Sequence, residues 1–158
     1  MQPLTLTLKN EEQTRRLGLA LGKACASGNF GVLLLYGGLG AGKTTLVRYL
    51  VESLPGGNMA EVSSPSFTIC NIYCTAPVVH HFDLYRLGPH AFDEALEESL
   101  DDASVLTIVE WAENLGPCPV FAEGLSIRFL PVTPGGVREV ELNPFGPKAE
   151  SGIAAIIV

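Results

Sequence analysis

Leu4, Leu6 and Leu8 alternate with Thr5, Thr7 and Lys9, a spacing that predicts a strand with one buried face. The period then turns helical. Leu17, Ala20, Leu21 and Ala24 share one face of a helix that opens at Asn10, with Gln13 in capping-box spacing and Glu11 and Glu12 in its first turn. Ser27-Gly28-Asn29 closes it. The apolar run Gly31–Tyr36 reads as a buried parallel strand, and apolar residues at 46, 47, 50, 51 and 54 predict a second helix. Beyond the turn at Leu54-Pro55-Gly56-Gly57-Asn58, a strand is expected from Phe67 to Tyr73. Val78–Asp83 and Val105–Glu110 are two further strands, each ending on a carboxylate. Between them, Ala91–Leu100 is an acidic helix with Phe92, Ala95, Leu96 and Leu100 at core spacing. Leu125–Leu130 and Val137–Leu142 complete the strands. This order predicts a single α/β domain over residues 1–147, with a mixed, partly parallel sheet flanked by helices. Residues 148–158 form a weakly apolar tail to which the pattern assigns no element.

The chemistry is concentrated between the Gly31–Tyr36 strand and the helix after it. Gly37-Gly38-Leu39-Gly40-Ala41-Gly42-Lys43-Thr44-Thr45 fits the phosphate-binding P-loop pattern. Glycines at 37, 38, 40 and 42 permit positive φ and let backbone N–H groups approach phosphates. The helix N-terminus adds partial positive charge at the same point. Lys43 is expected to reach the β- and γ-phosphates, and the Thr44 hydroxyl to ligate Mg²⁺. This predicts binding of a nucleoside triphosphate.

Other polar residues carry two readings each. Asp83 suits the Mg²⁺ and water network of such a site, and equally a helix or turn cap on the segment Leu84–Pro89. Glu110 suits a Walker-B-type acid, or a first-turn helix charge, with Trp111 as core filler. Ser63, Ser64 and Ser66 around Pro65 make either a loop that senses a γ-phosphate or a plain turn. His80 and His81 point to opposite faces of a strand and cannot share one metal; one packed and one hydrogen-bonded histidine is the expectation. Thr14 reads as a solvated threonine, and the acids at 94, 97, 98, 101 and 102 as a solvated face.

Composition narrows the partners. Ten basic against seventeen acidic residues give a net charge of −7, which argues against a broad nucleic-acid contact by this chain; Arg15, Arg16 and Lys23 are the only basic seed. The longest apolar runs are too short to span a bilayer, and no signal segment opens the chain, so a cytoplasmic location is expected. The four cysteines, at 25, 70, 74 and 118, make no zinc pattern and read as reduced thiols.

GGLGAGKTT at 37–45, SSPSFT at 63–68, HFDLYRL at 81–87 and VEW at 109–111 together resemble the TsaE (YjeE) family of bacterial ATPases in tRNA threonylcarbamoyladenosine synthesis. The resemblance runs from about Asn10 to Arg138. It implies a P-loop fold that binds ATP or ADP with Mg²⁺; the sequence leaves the oligomeric state open, with a monomer expected for the chain alone. It also implies weak hydrolysis stimulated by TsaB and TsaD homologues, with tRNA engaged only indirectly. The cofactor-binding residues it implies are Gly37 through Thr45, together with Asn10, Thr14 and Arg138. Thr44 and Glu110 would hold the metal; Asp83, Glu110 and Trp111 would be the catalytic group. Two departures bear on hydrolysis: Gly38 stands where the family usually places an acid, and Ser66-Phe67 where Thr-Tyr is common. Competing readings are a small-molecule kinase and a nucleotide-dependent interaction module with negligible turnover. A kinase needs a lid carrying arginines, and beyond the P-loop helix only Arg86, Arg128 and Arg138 are on offer.

Overall fold

A computed structural model describes residues 2–65, 69–89, 94–115 and 123–156. Seven strands form one sheet: β1 (Leu4–Leu8), β2 (Val32–Tyr36), β3 (Cys70–Tyr73), β4 (Val78–Asp83), β5 (Val105–Glu110), β6 (Gly124–Phe129) and β7 (Arg138–Phe145). The order across the sheet is β1-β7-β6-β2-β5-β4-β3. β4, β5, β2 and β6 run parallel, while β3, β7 and β1 pair antiparallel at the two sides. The mixed, partly parallel sheet expected from the pattern is therefore present.

The central strands are buried on both faces, which is why β2 reads as continuous Val-Leu-Leu-Leu rather than as an alternation. On one face lie α1 (Glu11–Ala26), α2 (Lys43–Ser53) and α4 (Pro147–Ile153), whose apolar residues join one core with Leu33, Leu35, Ile108 and Ile127. The opposite face is covered by α3 (Glu94–Asp101) and by residues following β4 and β5 around Val32, Leu34, Phe82 and Val109. The tail thus contributes to the core, through Ala149, Ile153 and Ile156.

Helix α1 begins as its spacing predicts, with one difference. The Gln13 N–H donates to Asn10 Oδ1 at 3.0 Å, but the Gln13 carboxamide accepts from Lys9 N–H at 2.6 Å, one residue before the cap. Close approach of α1 to α2 depends on Gly18, where an added Cβ would stand 2.6 Å from Tyr49 Cβ. Thr14 is 4 % exposed and so is buried, not solvated: it lies on the same helix face as Leu17, Gly18 and Leu21. In α3 the buried positions are Leu96 and Ser99, with Leu100 half-buried and Ala95 exposed. Ser99 is drawn inward by polar partners: its hydroxyl is 2.9 Å from His80 Nδ1 and 2.7 Å from Thr107 Oγ1. Phe67, Phe92 and Cys118 lie outside the described residues, while Cys25 is buried, Cys70 half-buried and Cys74 exposed. No helix among the described residues is long and apolar enough to cross a membrane.

Candidate functional site

Parallel register brings the chemistry to one edge of the sheet. Asp83 and Glu110 are partners across β4 and β5, and Glu110 is level with Leu35 on β2. All three strands end together, and the Gly37–Gly42 loop leaves β2 at that edge, where open parallel sheets place their ligands.

Glycine is required at particular points of this loop. Gly37 has φ 145° and Gly42 has φ 107°, and an added Cβ would lie 2.9 Å from Phe129 Cβ at Gly37 and 2.9 Å from an Arg138 guanidinium nitrogen at Gly42. A side chain is opposed by torsion at both positions and by space at Gly37, whereas at Gly42 the arginine head would have to move aside. Gly38 is otherwise: its φ is not left-handed, and nothing stands within 4 Å of an added Cβ. The freedom expected there from composition is not used.

Gly42 is the N-cap of α2 and supplies no side chain, so the first helical amides and the positive end of the dipole open onto a cleft of about 400 Å³. Lys43, the first helical residue, turns back over the loop. Its ammonium donates to the Gly37 carbonyl and, at 2.9 Å, to the Gly38 carbonyl, and lies 4.1 Å from the centroid of the Trp111 ring. Burial lowers its pKa, opposed by the carboxylates of Glu113, Glu110 and Asp83.

Thr44 Oγ1 donates to Glu110 Oε1 at 2.8 Å. With its hydrogen committed to the carboxylate, the hydroxyl presents only lone pairs elsewhere. Asp83 is 5 % exposed; its Oδ1 accepts from Tyr85 N–H at 2.9 Å and its Oδ2 from the Ser64 hydroxyl at 2.6 Å. Asp83 therefore holds the first amide of the short 3₁₀ turn Tyr85–Leu87, whose N-cap position is Leu84, while also lining the cleft. Trp111 takes a left-handed conformation, φ 57°, strain of about 1–3 kcal/mol that the surrounding structure must offset. It sets the indole between Lys43 and Tyr85, whose ring centroid is 4.7 Å away. It is half-buried at the cleft wall and also packs against the core cluster that holds Phe82, Leu84 and Val109.

The donor set fits a hard cation beside an oxyanion chain. Magnesium takes few protein oxygens when phosphates supply the rest, and Thr44 with Glu110 provides a hydroxyl and a carboxylate at a helix N-terminus. Gly42 lines the cleft without a side chain, whereas Gly37 and Gly38 border a neighbouring depression, with the Gly37 N–H held by Glu113 and its carbonyl by Lys43. Gly40 through Thr45 and Leu39 line the same cleft, with Arg138 on its wall. Asn10 and Thr14 are not on that wall. They line an adjoining depression that shares Thr45 and Arg138 with the cleft, and the Asn10 carboxamide is engaged as the α1 cap.

A family model described as "Threonylcarbamoyl adenosine biosynthesis protein TsaE" matches residues 8–133. The chain belongs to the TsaE family. It is 33 % identical over 150 residues to a TsaE of Nostoc, covering 91 % of this chain and 88 % of that one. With a TsaE of Aquifex aeolicus it shares 35 % over 117 residues, 73 % of this chain and 82 % of the other. The crystal structure of Bacillus subtilis YdiB superposes with a TM-score of 0.71 at 25 % identity, covering 98 % and 94 % of the two chains. Membership in TsaE places the chain in tRNA threonylcarbamoyladenosine biosynthesis.

Tyr73 and Glu113 at this TsaE site were not singled out by sequence reasoning, and His81 was read without its link to Glu110. His81 is fully buried and its Nε2 is 2.6 Å from Glu110 Oε2. Tyr73 lies 3.3 Å from the other nitrogen of the ring. Both histidines are hydrogen-bonded, against the expectation that one would be merely packed. Strand periodicity held the signal, since His81 lies two residues before Asp83 and so shares its face. Glu113 accepts from Gly37 N–H at 3.3 Å. It follows Glu110 by three residues, and no motif marks it. Of the Ser63–Thr68 loop, Ser66, Phe67 and Thr68 lie outside the described residues, and Ser64 reaches the cleft through Asp83.

Proposed function

We propose that this chain is an Mg²⁺-dependent ATP-binding subunit with weak ATPase activity, required for threonylcarbamoyladenosine modification of tRNA and acting with TsaD and TsaB homologues. The observation that carries this reading is the Thr44–Glu110 hydrogen bond at the head of α2. It joins the P-loop to a strand-end carboxylate and turns the threonine lone pairs outward. TsaE membership supports the pathway.

The residues divide the work. The loop amides and the α2 N-terminus receive the phosphates, and Lys43 exchanges its carbonyl acceptors for phosphate oxygens. Thr44 and Glu110 would hold Mg²⁺, which would supply charge neutralisation at the phosphates. Asp83, steadied by Tyr85 N–H and Ser64, orients water. Trp111 screens Lys43 from solvent. Catalysis of this kind is positioning and charge neutralisation, with no covalent step on the protein. Arg86 on the cleft wall, or a partner's cation, would complete the charge balance, so turnover by the chain alone is slow. Contact with tRNA is indirect: the chain carries a net charge of −7, and Arg15 and Arg16 are both engaged by Glu12, at 2.9 and 3.4 Å.

The test is depletion of the protein followed by mass spectrometry of threonylcarbamoyladenosine in bulk tRNA. Modification should fall and be restored by the wild-type chain but not by Lys43→Ala. Undiminished modification after depletion, or full rescue by Lys43→Ala, contradicts the reading.

A further inference from the structure

The Glu110 carboxylate is 1 % exposed, yet both its oxygens are spoken for. Oε1 accepts from the Thr44 hydroxyl at 2.8 Å, and Oε2 lies 2.6 Å from His81 Nε2. An ionised carboxylate only accepts, so the short contact requires the proton on Nε2. In the neutral ring Nδ1 is then an acceptor, and opposite it at 3.3 Å is the Tyr73 hydroxyl, whose one hydrogen also has the Ser63 carbonyl within reach at 3.4 Å. Tyr73 sits on β3 beside β4, so three neighbouring strands each supply one member of a row: Tyr73, His81, Glu110. The row ends on Thr44, at the loop. His80, its neighbour in sequence, turns to the other face and bonds Ser99, so only one of the two rings can serve the site.

We propose that His81, itself oriented by Tyr73, is a positioning residue that aims Glu110 at Thr44 and thereby sets the affinity of the site for Mg²⁺; this rests on the nucleotide-binding reading above. A carboxylate with one oxygen pinned by an N–H has a single orientation in which the other meets the threonine hydroxyl. Without that donor, Glu110 loses a charge-assisted hydrogen bond at a buried contact, and its Oε1 is no longer aimed. Outer partners of this kind typically change metal affinity by about 10–100-fold. Phosphate binding by the loop and Lys43 does not involve His81, so nucleotide affinity without metal should be unaffected. That separation distinguishes a positioning role from general damage to the fold.

The experiment titrates Mg²⁺ into the full chain with a fluorescent N-methylanthraniloyl ATP analogue, and repeats the analogue titration in EDTA. His81→Leu should raise the Mg²⁺ midpoint roughly 10-fold or more, while affinity in EDTA stays within about twofold of wild type. His81→Gln, whose amide can donate from near the Nε2 position, should recover most of the difference, and Tyr73→Phe should raise the midpoint severalfold. An unchanged Mg²⁺ midpoint in a folded His81→Leu overturns the proposal, as does an equal loss in His81→Leu and His81→Gln. Should His81→Leu fail to fold, Tyr73→Phe decides: a wild-type midpoint overturns the proposal, a raised one supports it. If the wild-type chain binds the analogue with no response to Mg²⁺, or does not bind it, the underlying nucleotide reading fails instead.

Discussion

Gly42 and Gly38 sit four residues apart and carry opposite constraints. At Gly42, φ 107° strains any L side chain, and an added Cβ 2.9 Å from the Arg138 guanidinium would displace it. Gly42→Ala should therefore distort the loop and weaken ATP binding by roughly tenfold or more, about 1.4 kcal/mol, in a calorimetric titration. At Gly38 an added Cβ meets nothing within 4 Å, so Gly38→Asp should fold normally, with a melting temperature within about 2 °C of wild type. A large loss of stability in Gly38→Asp would show that the loop geometry is wrong. The same contrast marks what was readable beforehand. The glycine pattern announced a phosphate loop, but spacing could not say which glycines are sterically compelled. It likewise left Asp83 divided between a cap and a cleft acid; one oxygen takes the Tyr85 N–H and the other the Ser64 hydroxyl at the cleft.

Elements with strong periodicity matched their expected bounds: β4 and β5 run over Val78–Asp83 and Val105–Glu110 as read from the apolar runs. Failures came where side-chain polarity misleads. Thr14 and Ser99 are polar by type but buried by position, because hydroxyls can be held by neighbours or by their own helix. In the tail, Ala149, Ile153 and Ile156 are too few to declare a helix by period, and Pro147 marks its start only once the helix is seen. Ile153→Ala should cost about 2–4 kcal/mol of unfolding free energy by denaturant titration, as a core truncation does; a change below about 0.5 kcal/mol would place the tail outside the core. Between α1 and α2, Gly18→Val would drive a side chain into Tyr49 and the α2 backbone, and should cost about 1–3 kcal/mol by the same measurement. A neutral outcome would mean that the helices are farther apart than described.

Across the whole molecule, strand order was the part the pattern could not supply. Alternation and apolar runs show that strands exist, but nothing local states that the first strand lies beside the last, or that β2 sits between β5 and β6. That order matters because it levels the ends of β2, β4 and β5 and so assembles one site from Thr44, Asp83 and Glu110. Asp83→Ala and Glu110→Ala should each leave ATP binding measurable and reduce hydrolysis in the presence of TsaB and TsaD homologues by about 10²-fold or more. Normal turnover in both would remove the two acids from the catalytic account. The central claim is that Mg·ATP binds at this sheet edge through the loop from Gly37 to Thr45. Its most direct test is calorimetric titration of Mg·ATP into the wild-type chain and into Lys43→Ala. Saturable binding to the wild type at one site, lost or weakened by about 10²-fold in the variant, is the predicted result. Equal affinity in the two would contradict it.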